Sequence, residues 1–286
     1  MTRARHGAEP PPGPPWDLPL AEAALAFIDL EMTGLDPAKD RVVEVCIERV
    51  VGDRVTDRLE TLVRPEPPIA FAPSVHGLSP EAVAGSPSFA ETMPQIAALL
   101  HGAVLVAHAA TWDVRFLEAE LARAGAPSKI ACFLDSLVLS RRVFGFDNHS
   151  LEALAVALEA PPRRAHRAGD DVRTLRHVFA RIVAELRAAT PRDLWHTVVE
   201  ARHARPVIVD ALQRACRDGA PVRIRYRPSG KRPQELCMVV TKLASDLDPP
   251  RVIGYLLPGR GRRELRSDRV LLVEPADTSS ENPPNR

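Results

Sequence analysis

Cysteine is scarce in this 286-residue chain, and its four copies, Cys46, Cys132, Cys216 and Cys237, lie far apart with no C-x-x-C pair. That spacing argues against a zinc site and for reduced, mostly buried thiols in a cytoplasmic protein. No run approaches the roughly 18 apolar residues needed to span a membrane. No uninterrupted apolar stretch follows the basic start either, because Glu22 and Asp29 break the only candidate, so no signal peptide is expected. Net charge is also low, at +1, while the hydrophobic fraction of 45% provides core for one domain and room for a second. Residues 1–20 include Pro10-Pro11-Pro12-Gly13-Pro14-Pro15, too proline-rich to pack, and are expected to form a disordered tail, as are residues 276–286.

What the chain does have is an ordered set of acids and one histidine: Asp29-x-Glu31, then Asp113, then His166 followed five positions later by Asp171. Ala26-Phe27-Ile28-Asp29-Leu30-Glu31 reads as an apolar strand, and residues two apart on a strand share a face. Each member has an ordinary explanation alone. Asp113 complements a helix dipole in a first turn for which Thr111 is an acceptable cap. Asp170 or Asp171 would cap the following helix, and His166 fits a solvated loop. Independent caps have no reason to recur in this order with these flanking segments. Four gathered carboxylates would repel, at about 4 kcal/mol for a pair roughly 4 Å apart with an effective dielectric of about 20. A fold that gathers them implies a hard cation, and all-oxygen ligands suit magnesium or manganese rather than zinc. Two such ions about 3.5–4 Å apart usually serve in-line attack on a phosphodiester.

Between Asp29 and Asp171 strand patterns alternate with helical ones, which suggests an α/β layer fold. Residues 42–51 and 55–63 read as strands joined by a Gly52-Asp53 turn, and residues 88–101, 111–124, 149–158 and 171–187 as helices. Past Ala189 a further helix is signalled by Thr190 as cap, Pro191 as first helical residue and Asp193 as the return bond of a capping box.

In several segments the chain resembles the DEDDh 3′–5′ exonucleases, the family of the bacterial DNA polymerase III epsilon subunit. These are Phe27-Ile28-Asp29-Leu30-Glu31-Met32-Thr33-Gly34-Leu35, Val75-His76-Gly77-Leu78-Ser79, and residues 105–117 with His108-Ala109-Ala110-Thr111-Trp112-Asp113 at their centre. Asp135-Ser136-Leu137, His149-Ser150-Leu151-Glu152-Ala153-Leu154 and His166-Arg167-Ala168-Gly169-Asp170-Asp171 complete the set. The similarity covers residues 23–188. It departs from the family at Ala109, where an asparagine is usual, and at Trp112, where a phenylalanine is. The resemblance implies a ribonuclease-H-like fold, a five-stranded mixed sheet with helices on both faces. It further implies that Asp29 bridges two Mg2+ or Mn2+ ions, that Glu31 and Asp171 complete the first site, and that Asp113 holds the second. His166 would take the proton of the attacking water. Thr33, Gly34, Leu35 and His108 would contact substrate, and the product would be a nucleoside 5′-monophosphate.

Residues 201–275 carry 16 Lys or Arg against 8 Asp or Glu, a net of +8 that leaves the remainder at −7. Such asymmetry points to a polyanionic partner or, more plainly, to a solvated basic surface. A helix over 207–217, strands over 222–227, 252–257 and 270–273, and Arg266-Ser267-Asp268-Arg269 together resemble a WYL domain, a small β-barrel-like module, with Gly254 where its name-giving tryptophan belongs. Arg223, Arg225, Tyr226 and Arg227 are its candidate nucleic-acid contacts. The expected organisation is thus a tail (1–20), an exonuclease domain (21–189), a linker helix (190–205), the basic module (206–275) and a second tail. Three functions follow: a 3′–5′ exonuclease on DNA, single-stranded by preference; an oligoribonuclease-like enzyme on RNA, suggested by residues 28–36; or a ligand-sensing regulator with a retained nuclease fold. A DNA polymerase or repair partner is compatible with the first, although no sliding-clamp peptide is evident, since residues 95–100 have the wrong interior residues.

Overall fold

The computed structural model describes residues 8–69, 71, 77–161, 167–199, 206–228, 233–244 and 250–276. The chain divides into two compact units, Met1–Ser140 with Asn148–Val199, and Arg141–Asp147 with Glu200–Arg286.

The first unit opens with three antiparallel strands, β1 (Ala24–Met32), β2 (Val42–Val51) and β3 (Arg54–Leu62). Gly52, at φ +63°, makes the turn between β2 and β3, a backbone conformation that glycine adopts without a Cβ penalty. A short helix α1 (Pro80–Val83) and α2 (Phe89–Leu100) precede β4 (Val104–Ala107). Then come α3 (Thr111–Arg123), β5 (Leu134–Asp135), α4 (Ser136–Val143), α5 (Leu151–Ala157), α6 (Ala168–Leu186) and α7 (Pro191–Val199). β4 and β5 pair in parallel beyond β1, which gives a five-stranded mixed sheet in the order β3-β2-β1-β4-β5.

Alternation along β1 sorts its residues between the two faces. Ala26, Ile28 and Leu30 pack with Phe89, Ile96 and Leu99 of α2 and Phe116 and Leu117 of α3. Fully burying each such Ile, Leu or Phe contributes about 1.5–3 kcal/mol. The odd face carries Phe27, whose ring meets Phe179 of α6 edge-on at 5.3 Å. Helices therefore cover both faces. Helix ends follow local chemistry: Ser88 and Glu91 form a reciprocal capping box at α2, and Thr190 and Asp193 form the anticipated one at α7.

The proline-rich start departs from expectation. Residues 8–20 are packed rather than disordered, because Trp16 is buried and Arg192 ties the segment down. Its guanidinium donates to the carbonyls of Pro10 and Pro11 and pairs with Asp17, while its N–H donates to the Trp16 carbonyl. Nor does α7 serve as a linker: Leu194 and Trp195 are buried within the first unit. All four cysteines are free, but only Cys46 is fully buried, and burial pushes its thiol up to about 12.

In the second unit α8 (Pro206–Asp218) packs on an antiparallel sheet of β6 (Pro221–Tyr226), β7 (Gln234–Ala244), β8 (Arg251–Leu256), β9 (Arg262–Arg266) and β10 (Val270–Pro275), in the order β10-β6-β7-β8-β9. Ile208, Leu212 and Ala215 meet Val222, Ile224, Met238, Val240, Val252, Leu265 and Val270 in its core. β7 and β9 were not anticipated. A Cβ at Gly254 would overlap the Val239 carbonyl and the Met238 methyl, so no tryptophan fits there.

Candidate active site

β1 presents Asp29 and Glu31 on the face covered by α6, and the first turn of α6 brings Asp171 to them. Carboxylate oxygens of these three residues all lie within 4.8 Å of one another. At that separation, with an effective dielectric of about 20, each charge pair costs roughly 3 kcal/mol. The Glu31 carboxyl is pushed up to about 7, first by burial and then by Glu44, its cross-strand partner on β2, with Arg167 opposing the rise. Oxygen-only donors converging in a half-buried setting fit a hard divalent cation.

The fourth expected carboxylate stands apart from that trio. Asp113 is buried in the first turn of α3, where it accepts a hydrogen bond from the Leu30 N–H and feels the charges of Asp135 and Glu31. Burial is the main reason its carboxyl rises to about 8. Thr111 is not the cap of α3, since Ala110 occupies that position without a side-chain bond, and neither Asp170 nor Asp171 caps α6, which starts at Ala168. Both acids sit in the first turn instead, where negative charge complements the helix dipole. His166 lies outside the described residues. Its neighbour Arg167 is held by Glu44, whose carboxylate accepts from Arg167 Nη2 at 2.8 Å and from the Ala168 N–H at 3.2 Å.

The Thr33-Gly34-Leu35 turn is organised by Asp40, a residue not singled out in the sequence. Its carboxylate accepts from Thr33 Oγ1 (3.3 Å) and the Asp36 N–H (2.7 Å), and a Cβ at Gly34 would sit 2.5 Å from it. A larger residue at position 34 would therefore displace this carboxylate from its bonds to Thr33 and Asp36. Leu35 is left 72% exposed, an apolar side chain facing solvent. Arg41 anchors the far end of the loop through Nε and Nη2 to Glu120 of α3, at 2.7 and 2.8 Å, with both residues buried.

His108 has both ring nitrogens engaged by the protein, Nδ1 with Ser136 Oγ and Nε2 with the His149 carbonyl, each at 2.9 Å. Ala109 adopts φ +61°, which suits asparagine far better than alanine. Its N–H donates to Asp135 Oδ1 at 3.1 Å, and the same oxygen accepts from the Leu137 and Val138 N–H groups. Asp135 therefore orders a loop that an asparagine at 109 would otherwise favour. Trp112 is 40% exposed with the Arg115 guanidinium 5.6 Å from its ring centroid. In the second unit, Arg225 pairs with Asp147 and Arg227 donates to the Phe146 carbonyl, so two of the four expected nucleic-acid contacts are bonded internally. Arg223 lies 3.6 Å from Glu274, and Tyr226 is half-buried against the core.

The RNase_T family model, described as exonuclease, matches residues 26–179, more than half of the chain, and spans Asp29, Glu31, Asp113, His166 and Asp171. The chain belongs to the RNase_T exonuclease family. Among relatives of this exonuclease, a Rhodobacter capsulatus protein described as DNA polymerase III subunit epsilon-like is 35% identical over 193 residues, 65% of this chain and 27% of that one. The PolC-type DNA polymerase III of Thermotoga maritima is 30% identical over 168 residues, covering 58% of this chain and only 12% of the polymerase. The DNA polymerase III subunit epsilon of Treponema pallidum is 31% identical over 167 residues, 56% of this chain and 77% of that one. Two solved structures share the exonuclease fold. E. coli exonuclease I bound to single-stranded DNA and zinc has a TM-score of 0.53 at 15% identity, over 82% of this chain and 54% of that one. The Methylocaldum szegediense exonuclease I has 0.51 at 18%, over 88% and 64%.

Proposed function

We propose that this RNase_T-family exonuclease is a divalent-metal-dependent 3′–5′ exonuclease that releases nucleoside 5′-monophosphates from the 3′ end of DNA, with a preference for single strands. The observation that carries this reading is the convergence of Asp29, Glu31 and Asp171 within 4.8 Å inside the matched domain. Asp29, Glu31 and Asp171 would hold one magnesium or manganese ion, and Asp29 with Asp113 a second. Bound there, such ions polarise the scissile phosphate and offset charge on the departing 3′ oxygen.

The remaining roles belong to the chain's own groups. His166 takes the proton of the attacking water, a task suited to a side chain that titrates near neutrality. Leu35, held out by the Asp40-braced turn, wedges against the terminal base, and Trp112 offers an exposed ring face nearby in sequence to Asp113. His108, with both nitrogens already bonded, contributes by fixing the loop before α3 rather than through a nitrogen. The second unit acts as a WYL-like accessory module for nucleic acid, supported by its net charge of +8 over residues 201–275. The polymerase III relatives make a polymerase or repair assembly the natural partner class.

The test uses purified protein and 5′-labelled single-stranded and duplex DNA and RNA, with magnesium, manganese or chelator. A ladder shortening from the 3′ end only with metal, and lost in Asp29→Ala, is expected. Metal-independent cleavage, or full activity in Asp29→Ala, overturns the reading; a ladder on RNA alone reassigns the substrate.

A further inference from the structure

Two acids interrupt the apolar run of β2, Glu44 and Glu48, and both are almost completely buried, at 1% and 2% exposure. They lie four apart and so share one face, the face under α6. Each is met by an arginine of the α6 region: Glu44 by Arg167 Nη2 at 2.8 Å, with the Ala168 N–H added, and Glu48 by Arg176 Nη1 at 2.8 Å. The spans match. Four strand residues advance ~13.6 Å, while the eight helical steps from Ala168 to Arg176 advance ~12 Å. The arginine side chain covers the difference.

Ion pairs in such a position are weak stabilisers, because removing both charges from water costs about as much as their attraction returns, and apolar replacements are often as stable. Their better-attested use is to fix register. Here register matters to the site. A slip of α6 by one residue would move Asp171 by ~1.5 Å and turn it by about 100°, whereas a working metal ligand tolerates about 0.2 Å.

We propose that Glu44–Arg167 and Glu48–Arg176 form a two-point register lock that holds Asp171 in ligating position, with Glu48 and Arg176 acting as positioning residues although neither belongs to the carboxylate trio. The lock rests on the metal-site reading above. Arg176 is the place to test it, since it lies five residues beyond Asp171 and, among the described residues, bonds Glu48 and the Asp53 carbonyl.

The experiment is manganese binding to the full chain by calorimetry, alongside thermal melting. Arg176→Met should weaken manganese binding about 10-fold or more, the usual scale for losing a group that orients a ligand, while far-ultraviolet circular dichroism stays native. Arg176→Lys, which restores a charge opposite Glu48, should recover most of that loss. A folded Arg176→Met protein that binds manganese as tightly as the unsubstituted chain overturns the lock, even if its melting temperature falls. Should Arg176→Met not fold, Arg176→Gln keeps a donor without the charge and provides the same readout. If the unsubstituted chain binds no manganese, the metal reading fails instead. The lock is then read from hydrogen exchange of the α6 amides over residues 170–175, which Arg176→Met must accelerate; unchanged protection overturns it.

Discussion

Replacing Glu31 by glutamine should make the metal-free protein more stable at pH 8 while destroying its metal chemistry. The folded-state carboxyl of Glu31 holds its proton up to about pH 7, against an ordinary value of 4.5. Folding therefore benefits from the protonated form below pH 4.5, loses that benefit as pH rises toward 7, and carries the full penalty above it. A gap of that size corresponds to about 3 kcal/mol at ~1.4 kcal/mol per tenfold. Glu31 is partly exposed, so solvent screening reduces this to about 1–2 kcal/mol. A domain of this length shifts by roughly 2–4 °C per kcal/mol, so Glu31→Gln should melt roughly 2–8 °C above the unsubstituted chain at pH 8 in chelator. At pH 4 the two should nearly coincide, because the carboxyl is then protonated in the folded chain and largely so in the unfolded one. Saturating magnesium should reverse the order at pH 8 by stabilising the intact carboxylate set alone. Scanning fluorimetry at both pH values, with and without metal, checks all four conditions. A variant that melts no higher than the parent at pH 8 without metal would refute the claim that Glu31 is crowded and desolvated.

Three further outcomes are expected. His166→Ala should slow hydrolysis by roughly 10²–10⁴-fold, the range for a positioned acid or base, with calorimetric metal affinity unchanged; a loss below about fivefold in a single-turnover assay excludes His166 as the base. Ala109→Gly should raise the melting free energy by about 0.5–1 kcal/mol, because alanine bears the cost of φ +61° there; denaturant unfolding that shows a loss would contradict this. Arg223→Gln should reduce the slope of log affinity against log salt for long single strands by about 0.7, one phosphate contact, and an unchanged anisotropy-derived slope removes that strand from the interface.

Features set by neighbours in sequence were legible without coordinates. The Asp29/Glu31 face follows from strand alternation, and the cap at Thr190 from residues three apart. Features set by distant partners were not. The proline-rich start is ordered by Arg192, more than 170 positions away, and no composition rule anticipates one arginine collecting its carbonyls. Asp135 likewise bonds the Ala109 N–H from 26 positions downstream. Glu44 and Glu48 did leave a trace, as acids inside a largely apolar strand, which is the pattern buried ion pairs produce. The expected four-carboxylate gathering resolved into a trio with Asp113 beside it, a separation only the helix geometry of α3 could set.

The division of the chain has a consequence in time. Arg141–Asp147 belongs to the second unit, although it precedes the rest of that unit by more than fifty residues. Its Gly145 and Asp147 meet Arg225 across separations of 80 and 78 positions. At synthesis rates of about 5–20 residues per second, Phe144 and Phe146, stacked at 5.1 Å in the finished fold, emerge roughly 4–16 s before the strand that receives their segment. Closing a loop of that length costs about 4 kcal/mol of chain entropy, and it cannot be recovered until β6 has been made. The second unit is therefore born in two instalments. A cassette cut from residue 200 onward would leave behind the Gly145, Phe146 and Asp147 groups that Arg225 and Arg227 bond.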